Sequence, residues 1–196
     1  MASPAAGDPA ESAPPPSPGR AGRNLPAAIA SGVVLGALVI VSLVWVKWLF
    51  AVLTAIALVI ALHELTTAFA TRGIRVARTP VYATTLAGMA AAYVWGTEAL
   101  LVCIGAGVVA VILWRIRRGT DGYLRDVSAS IFLLGYVALM AGFAMLMLAA
   151  DNGAWRIVVF ILLTIGNDIG GYATGVLFGK HPIAPQISPK KYWEGF

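Results

Sequence analysis

NDIGGYATGVLFGKHPIAPQISPKKYWEGF, residues Asn167–Phe196, begins inside an apolar run, leaves it through a glycine stripe and ends in a lysine cluster. Gly171, Gly175 and Gly179 recur every fourth residue and Asp168 stands three before the first, so all four share one helical face. Such a face lets another helix, or a ligand, approach the backbone beside a carboxylate, and plain helix packing accounts for it equally. Beyond Gly179, Pro182, Pro185 and Pro189 forbid a continuous helix. That leaves an ordered or semi-ordered loop presenting Ser188, Lys190, Lys191, Trp193 and Glu194. Adjacent lysines at the edge of an apolar run suit a phosphate-bearing ligand. A basic stop-transfer flank would explain the lysines, but not the Ser-Pro before them or the Trp-Glu-Gly after.

The rest of the chain puts this loop at a membrane. Of 196 residues, 59% are hydrophobic and 12% charged, with a mean hydropathy of +0.83. A soluble domain carries about 25% charged residues. The apolar residues come in runs of roughly 17 to 24, enough to cross a hydrocarbon core about 30 Å thick. Cys103 is the single cysteine, which excludes a disulfide framework and a cysteine-based metal site. Residues 1–23 are rich in Pro, Ala, Ser and Gly without apolar periodicity and are expected to form a disordered tail, not a cleaved signal.

Residues 24–179 read as a transmembrane helical domain with spans at about 25–46, 48–71, 80–96, 98–115, 127–149 and 155–178. The expected fold is an all-α polytopic bundle of about six helices, followed by a cytoplasmic basic loop at 180–196. Trp45 and Trp48 flank Lys47 as an aromatic belt, with Tyr93, Trp95 and Trp155 expected at the same face. Arg20, Arg23, Arg72, Arg75, Arg78, Arg115, Arg117, Arg118, Arg125, Lys180, Lys190 and Lys191 fall on one side of a six-span arrangement, leaving Lys47 and Arg156 for the other. By the positive-inside rule both ends are cytoplasmic, in a multi-pass protein of the cell membrane. The same asymmetry accounts for the net charge of +5 without nucleic acid and implies attraction to anionic membrane lipids.

Within the spans the ionisable residues are His63, Glu64 and Asp168. A carboxylate in hydrocarbon costs a few kcal/mol, so it usually faces a bundle interior or a wet cavity. Counting back from Arg72 and Lys180 places Glu64 and Asp168 about 12 and 18 Å from the cytoplasmic boundary, as for a polar cavity open to that side. An interhelical hydrogen bond is the structural alternative, and the one favoured for His63. Several motifs fail. His63-Glu64 lacks the second histidine of a zinc protease helix, and Gly175–His181 lacks the spacing and the Ser/Thr of a P-loop.

Taken together, Asp168-Ile-Gly-Gly-Tyr172, Gly175, Phe178-Gly179-Lys180 and Ser188-Pro-Lys-Lys-Tyr-Trp-Glu-Gly195 resemble the phosphatidate cytidylyltransferases, or CDP-diglyceride synthetases, in order and spacing. Arg23-Asn24-Leu-Pro26 before span one and Glu64 toward the end of span two are similar to that family as well. Tyr192 departs from the pattern, standing where that family usually has Ser or Thr. The family also continues beyond the equivalent of Phe196 into a signature whose aspartates are its usual metal-ligand candidates. The chain therefore reads as the N-terminal two thirds of such an enzyme, expected to insert in a membrane but to form no CDP-diacylglycerol alone.

The resemblance implies the reaction CTP plus phosphatidate giving CDP-diacylglycerol and diphosphate, with Mg²⁺ on the phosphates. It implies Asp168, Lys190 and Lys191 as catalytic residues. It places Lys180, Ser188, Trp193, Glu194, Gly171 and Gly175 against substrate. Asp168 is the one metal-ligand candidate within the chain, with Glu64 a weaker site residue. A homodimer is left open. The competing readings are a small transporter or channel using Glu64 and Asp168 as an ion relay, and a scaffold without catalysis.

Overall fold

A computed structural model describes residues 25–184 and 188–195, with the backbone alone for 25–26, 28–29, 184 and 188–191. The tail at 1–23 lies outside the described residues. The chain divides into two compact units, residues 1–38 and 39–196. The described part of the first is the opening of helix α1 (Leu25–Trp45), with apolar side chains such as Val33, Val34 and Leu35 exposed.

In the second unit, α2 (Lys47–Thr71), α3 (Arg78–Trp95), α4 (Thr97–Ile116), α5 (Tyr123–Ala149, with a π-helical turn at Leu134–Ala138) and α6 (Gly153–Phe178) follow the close of α1. Four of these, α2, α4, α5 and α6, are long and apolar enough to cross a membrane. Their exposed surfaces carry Ile56, Ile60, Val102, Val109, Leu113, Phe143, Leu162 and Leu163, side chains that water would not tolerate at such density. The chain is an all-α membrane protein in its helical part.

α3 is built differently. It packs against α2, α4 and α5 and buries Thr84, Thr85, Gly88, Met89 and Ala92, a small-residue surface that brings helices close. The buried Thr85 hydroxyl is satisfied within the helix, donating to Val81 O at 2.8 Å. A methyl group on Gly107 of α4 would overlap the Thr84 side chain, and one on Gly142 of α5 would overlap Leu100. The turn from α3 to α4 rests on Gly96, whose φ of 83° suits glycine alone.

The two ends of the bundle are distinct. At one, Lys47 Nζ donates to Ala150 O at 2.8 Å and to Asp151 O at 3.1 Å, so the α1–α2 junction and the α5–α6 turn share a surface. At the other, the 72–77 connection is bonded to the start of α5. This is the basic end. A core cluster lies toward each: Leu62, Val81, Val111, Leu133 and Leu134 in one, Leu43, Met89, Leu100, Met145 and Leu148 in the other.

The segment beyond Gly179 corrects the expected loop. β1 (Pro182–Ala184) and β2 (Ser188–Tyr192) pair antiparallel, Pro182 opposite Tyr192 and Ala184 opposite Ser188, and a short 3₁₀ turn follows at Trp193–Gly195. Pro182 and Pro189 stop a helix but not this hairpin, because a two-stranded sheet consists of edges. The turn around Pro185 lies outside the described residues.

Candidate functional site

The terminal hairpin folds back onto the glycine face of α6. Gly195 sits against Gly171 and Gly175, and the Tyr192 ring lies over Gly175 and Gly179. The stripe thus packs against the chain's own continuation. Tyr192, the residue that departs from the family pattern, is the side chain that fills the groove. A methyl group at Gly179 would overlap the Gly175 carbonyl oxygen and the Tyr192 ring, so Gly179→Ala is expected to disturb the close of α6 and undock the hairpin at a cost of about 1–3 kcal/mol. Tryptic cleavage after Lys190 and Lys191, read by mass spectrometry, should accelerate in Gly179→Ala. It should not change in Gly166→Ala, where the added methyl meets open space. Equal rates in the two variants would contradict the docking.

A polar clasp closes the hairpin. His181 Nδ1 and Glu194 Oε1 are 2.7 Å apart, His181 N–H donates to Glu194 Oε2 at 3.3 Å, and Trp193 N–H donates to His181 O at 2.9 Å. The Glu194 carboxyl is held down to about 2, first by its own backbone N–H, then by the His181 side chain and the N–H of Lys180. A depressed carboxyl favours the folded form above its ordinary value of 4.5, and that contribution is lost as pH falls toward 2. The clasp is solvent-exposed, so it serves as a positional device more than as a source of stability.

The structure thus brings together Gly171, Gly175, Gly179, His181, Tyr192, Trp193 and Glu194. Lys180 is exposed at the exit of α6. Lys190, Lys191 and Ser188 have their backbone in β2, and their side chains lie outside the described residues. Asp168 is exposed on α6, one turn before Gly171, and His63 and Glu64 are exposed on α2. No hydrogen bond among the described residues joins Glu64 to Asp168, and the ion-relay alternative finds no support.

The prominent polar construction lies elsewhere, at the basic end, and the sequence reading missed it. Arg115 and Asp126 form an ion pair at 2.9 Å with side chains 4% and 1% exposed. Arg115 also donates to Gly119 O at 2.8 Å and to Asp121 O. The second Asp126 oxygen accepts the N–H of Arg75 at 2.9 Å. Ser130 Oγ accepts from Ala77 N–H at 3.0 Å and donates to Asp126 O at 2.7 Å. Every member is satisfied, the condition on which a buried polar network becomes rigid rather than costly. The signal was present: opposite charges flank the short connection between α4 and α5, and Ser130 lies four residues after Asp126 on one helical face.

A Mg²⁺ ion usually takes one or two carboxylates with phosphates and water. Among the described residues no group of three or more His, Cys, Asp or Glu could hold a metal ion. Asp168, exposed one turn before Gly171, would leave the other ligands of such an ion to phosphates and water.

Comparison with known proteins gives a consistent result. The Cytidylyltransferase family matches residues 26–196. A phosphatidate cytidylyltransferase of Mycobacterium leprae is 37% identical over 90% of this chain and 62% of its own length. One from Mycobacterium tuberculosis is 37% identical over 90% of this chain and 58% of its own length. One from Pseudomonas aeruginosa is 49% identical over a shorter stretch, 20% of this chain and 14% of its own. The chain spans about three fifths of the length of the mycobacterial relatives it matches. No solved structure matches it.

Proposed function

The chain belongs to the cytidylyltransferase family, and we propose on that premise that it serves cytidylyl transfer from CTP to phosphatidate. A phosphate oxygen of the lipid attacks the α-phosphorus of CTP, a new P–O bond forms, and the bond to the β,γ-diphosphate breaks. CDP-diacylglycerol and diphosphate result. The observation that carries the reading is the family match over residues 26–196, which includes the whole of the Asp168–Gly195 motif.

Such chemistry asks for positioning and charge neutralisation more than for proton transfer. Lys190 and Lys191 hold the phosphates, on a strand fixed to α6 by the Tyr192 and Gly195 contacts. Gly171 and Gly175 keep that approach close, and Lys180, Ser188, Trp193 and Glu194 surround it. Asp168 is the carboxylate that would help hold Mg²⁺, which would supply charge neutralisation on the triphosphate. The remaining elements of the reading are six spans and a multi-pass protein of the cell membrane with both termini cytoplasmic, as a site shared by a soluble polyanion and a two-chain lipid requires. Supporting this, the 46–47 junction meets the 150–151 turn at one end, while the 72–77 and 115–126 connections meet at the other. Cysteine reporters at 72–79 and 116–125 should label from the cytoplasm and one beside Asn152 from outside. Reversal of the two classes would overturn the topology.

The function is tested in a chimera, this chain followed by the part of the Mycobacterium leprae relative beyond the match. It should restore growth to a bacterium depleted of its own CDP-diacylglycerol synthesis. A chimera that inserts in the membrane and yet restores nothing would count against the reading.

A further inference from the structure

A cavity of about 630 Å³ opens at the basic end between the close of α2, the start of α3 and the close of α4. Arg75, Arg78 and Arg118 line it, together with Thr66, Thr79 and the Trp114 ring, and no carboxylate does. Among the described residues none of the three guanidinium groups has an ion-pair partner. Arg118 instead lies over the Trp114 ring, 5.7 Å from its centroid. α3 begins here and adds the positive end of its dipole.

The wall is held in place from behind. Gly73 O accepts from Arg125, Arg75 N–H donates to buried Asp126 at 2.9 Å, and Ala77 N–H donates to buried Ser130 at 3.0 Å. Every second residue of the connection is thus fastened to α5 through its backbone, while the Arg75 and Arg78 side chains take no part in that network. Three like charges converging on one cavity repel unless an anion neutralises them. Guanidinium groups match the oxygens of a phosphate.

We propose that this cavity binds the phosphate of an anionic phospholipid headgroup, held by Arg75 and Arg78 with the Arg118–Trp114 pair as its wall. A lipid is favoured over a soluble anion because α2 and α4, whose ends form the cavity, are both long and apolar enough to cross a membrane, and a tryptophan at such an end sits at headgroup level. The proposal does not rest on the transferase reading, since no described residue of the terminal hairpin lines the cavity.

The test is lipid retention by the purified 196-residue chain in native mass spectrometry. Phosphatidylglycerol and phosphatidylcholine of equal acyl length are supplied together. Phosphatidylglycerol should be retained about fivefold or more over phosphatidylcholine, as expected where each arginine near the surface favours an anionic lipid. Arg75→Gln with Arg78→Gln should bring the ratio near parity, and Arg118→Gln should lower it. Arg72→Gln with Arg117→Gln removes the same charge from residues outside the cavity and should leave the preference intact. Equal loss in both double variants, or parity in the unaltered chain, would overturn the site in favour of general surface attraction. Displacement of phosphatidylglycerol by inorganic phosphate at low millimolar concentration would assign the cavity to a free phosphate and overturn the lipid.

Discussion

Asp126→Ala is expected to lower stability by about 3–5 kcal/mol, because it strands the Arg115 charge in a site 4% exposed. The loss extends beyond the pair. Asp126 also receives the backbone N–H of Arg75, so its removal frees the 73–77 connection from α5 and loosens the wall of the basic cavity. Replacing both charges, Arg115→Met with Asp126→Leu, should recover the part of the loss due to the unpaired ion but not the part due to the Arg75 N–H, which still lacks its acceptor. Thermal unfolding in detergent, followed by circular dichroism, distinguishes the cases. A loss below about 1 kcal/mol for the single variant would mark the pair as no more than a surface contact.

Lys190→Ala and Lys191→Ala, each introduced into the chimera with the mycobacterial relative, are expected to reduce cytidylyl transfer by about 10²-fold or more. That is the range seen when one preorganised group facing developing charge is removed. The effect should fall with rising CTP if the lysine contributes only to ground-state binding, and persist at saturation if it acts in the transition state. Membrane insertion should be unchanged in both. Near-normal turnover at low CTP in both variants would reduce the segment to a basic flank.

What the sequence made legible follows from which interactions are local. Four of the helices, α2, α4, α5 and α6, could be read because an apolar run of membrane length needs no knowledge of its neighbours. The glycine face of α6 was readable from its four-residue period, but its partner was not. Three prolines announce only the end of a helix, and the register that lays Tyr192 over Gly179 depends on contacts outside any local pattern. Asp126 stood at the edge of an expected span, where a charge looks ordinary. Its burial arises from the 72–77 connection closing over α5, a tertiary event. Glu64 and Asp168 attracted attention as carboxylates within apolar helices, yet both are exposed. The cavity at the basic end is lined by arginines that the sequence assigned to topology and to a general attraction toward anionic lipids.

The proposed transfer of a cytidylyl group to phosphatidate is measured directly with CTP labelled at the α-phosphorus. The chimera in lipid vesicles containing phosphatidate should move label into a chloroform-soluble product with one diphosphate released per label transferred. That transfer should cease when phosphatidylcholine replaces phosphatidate and fall sharply in Lys190→Ala. Label that stays in the aqueous phase while phosphatidate, CTP and Mg²⁺ are all present, in a chimera shown to be inserted and folded, would contradict the account.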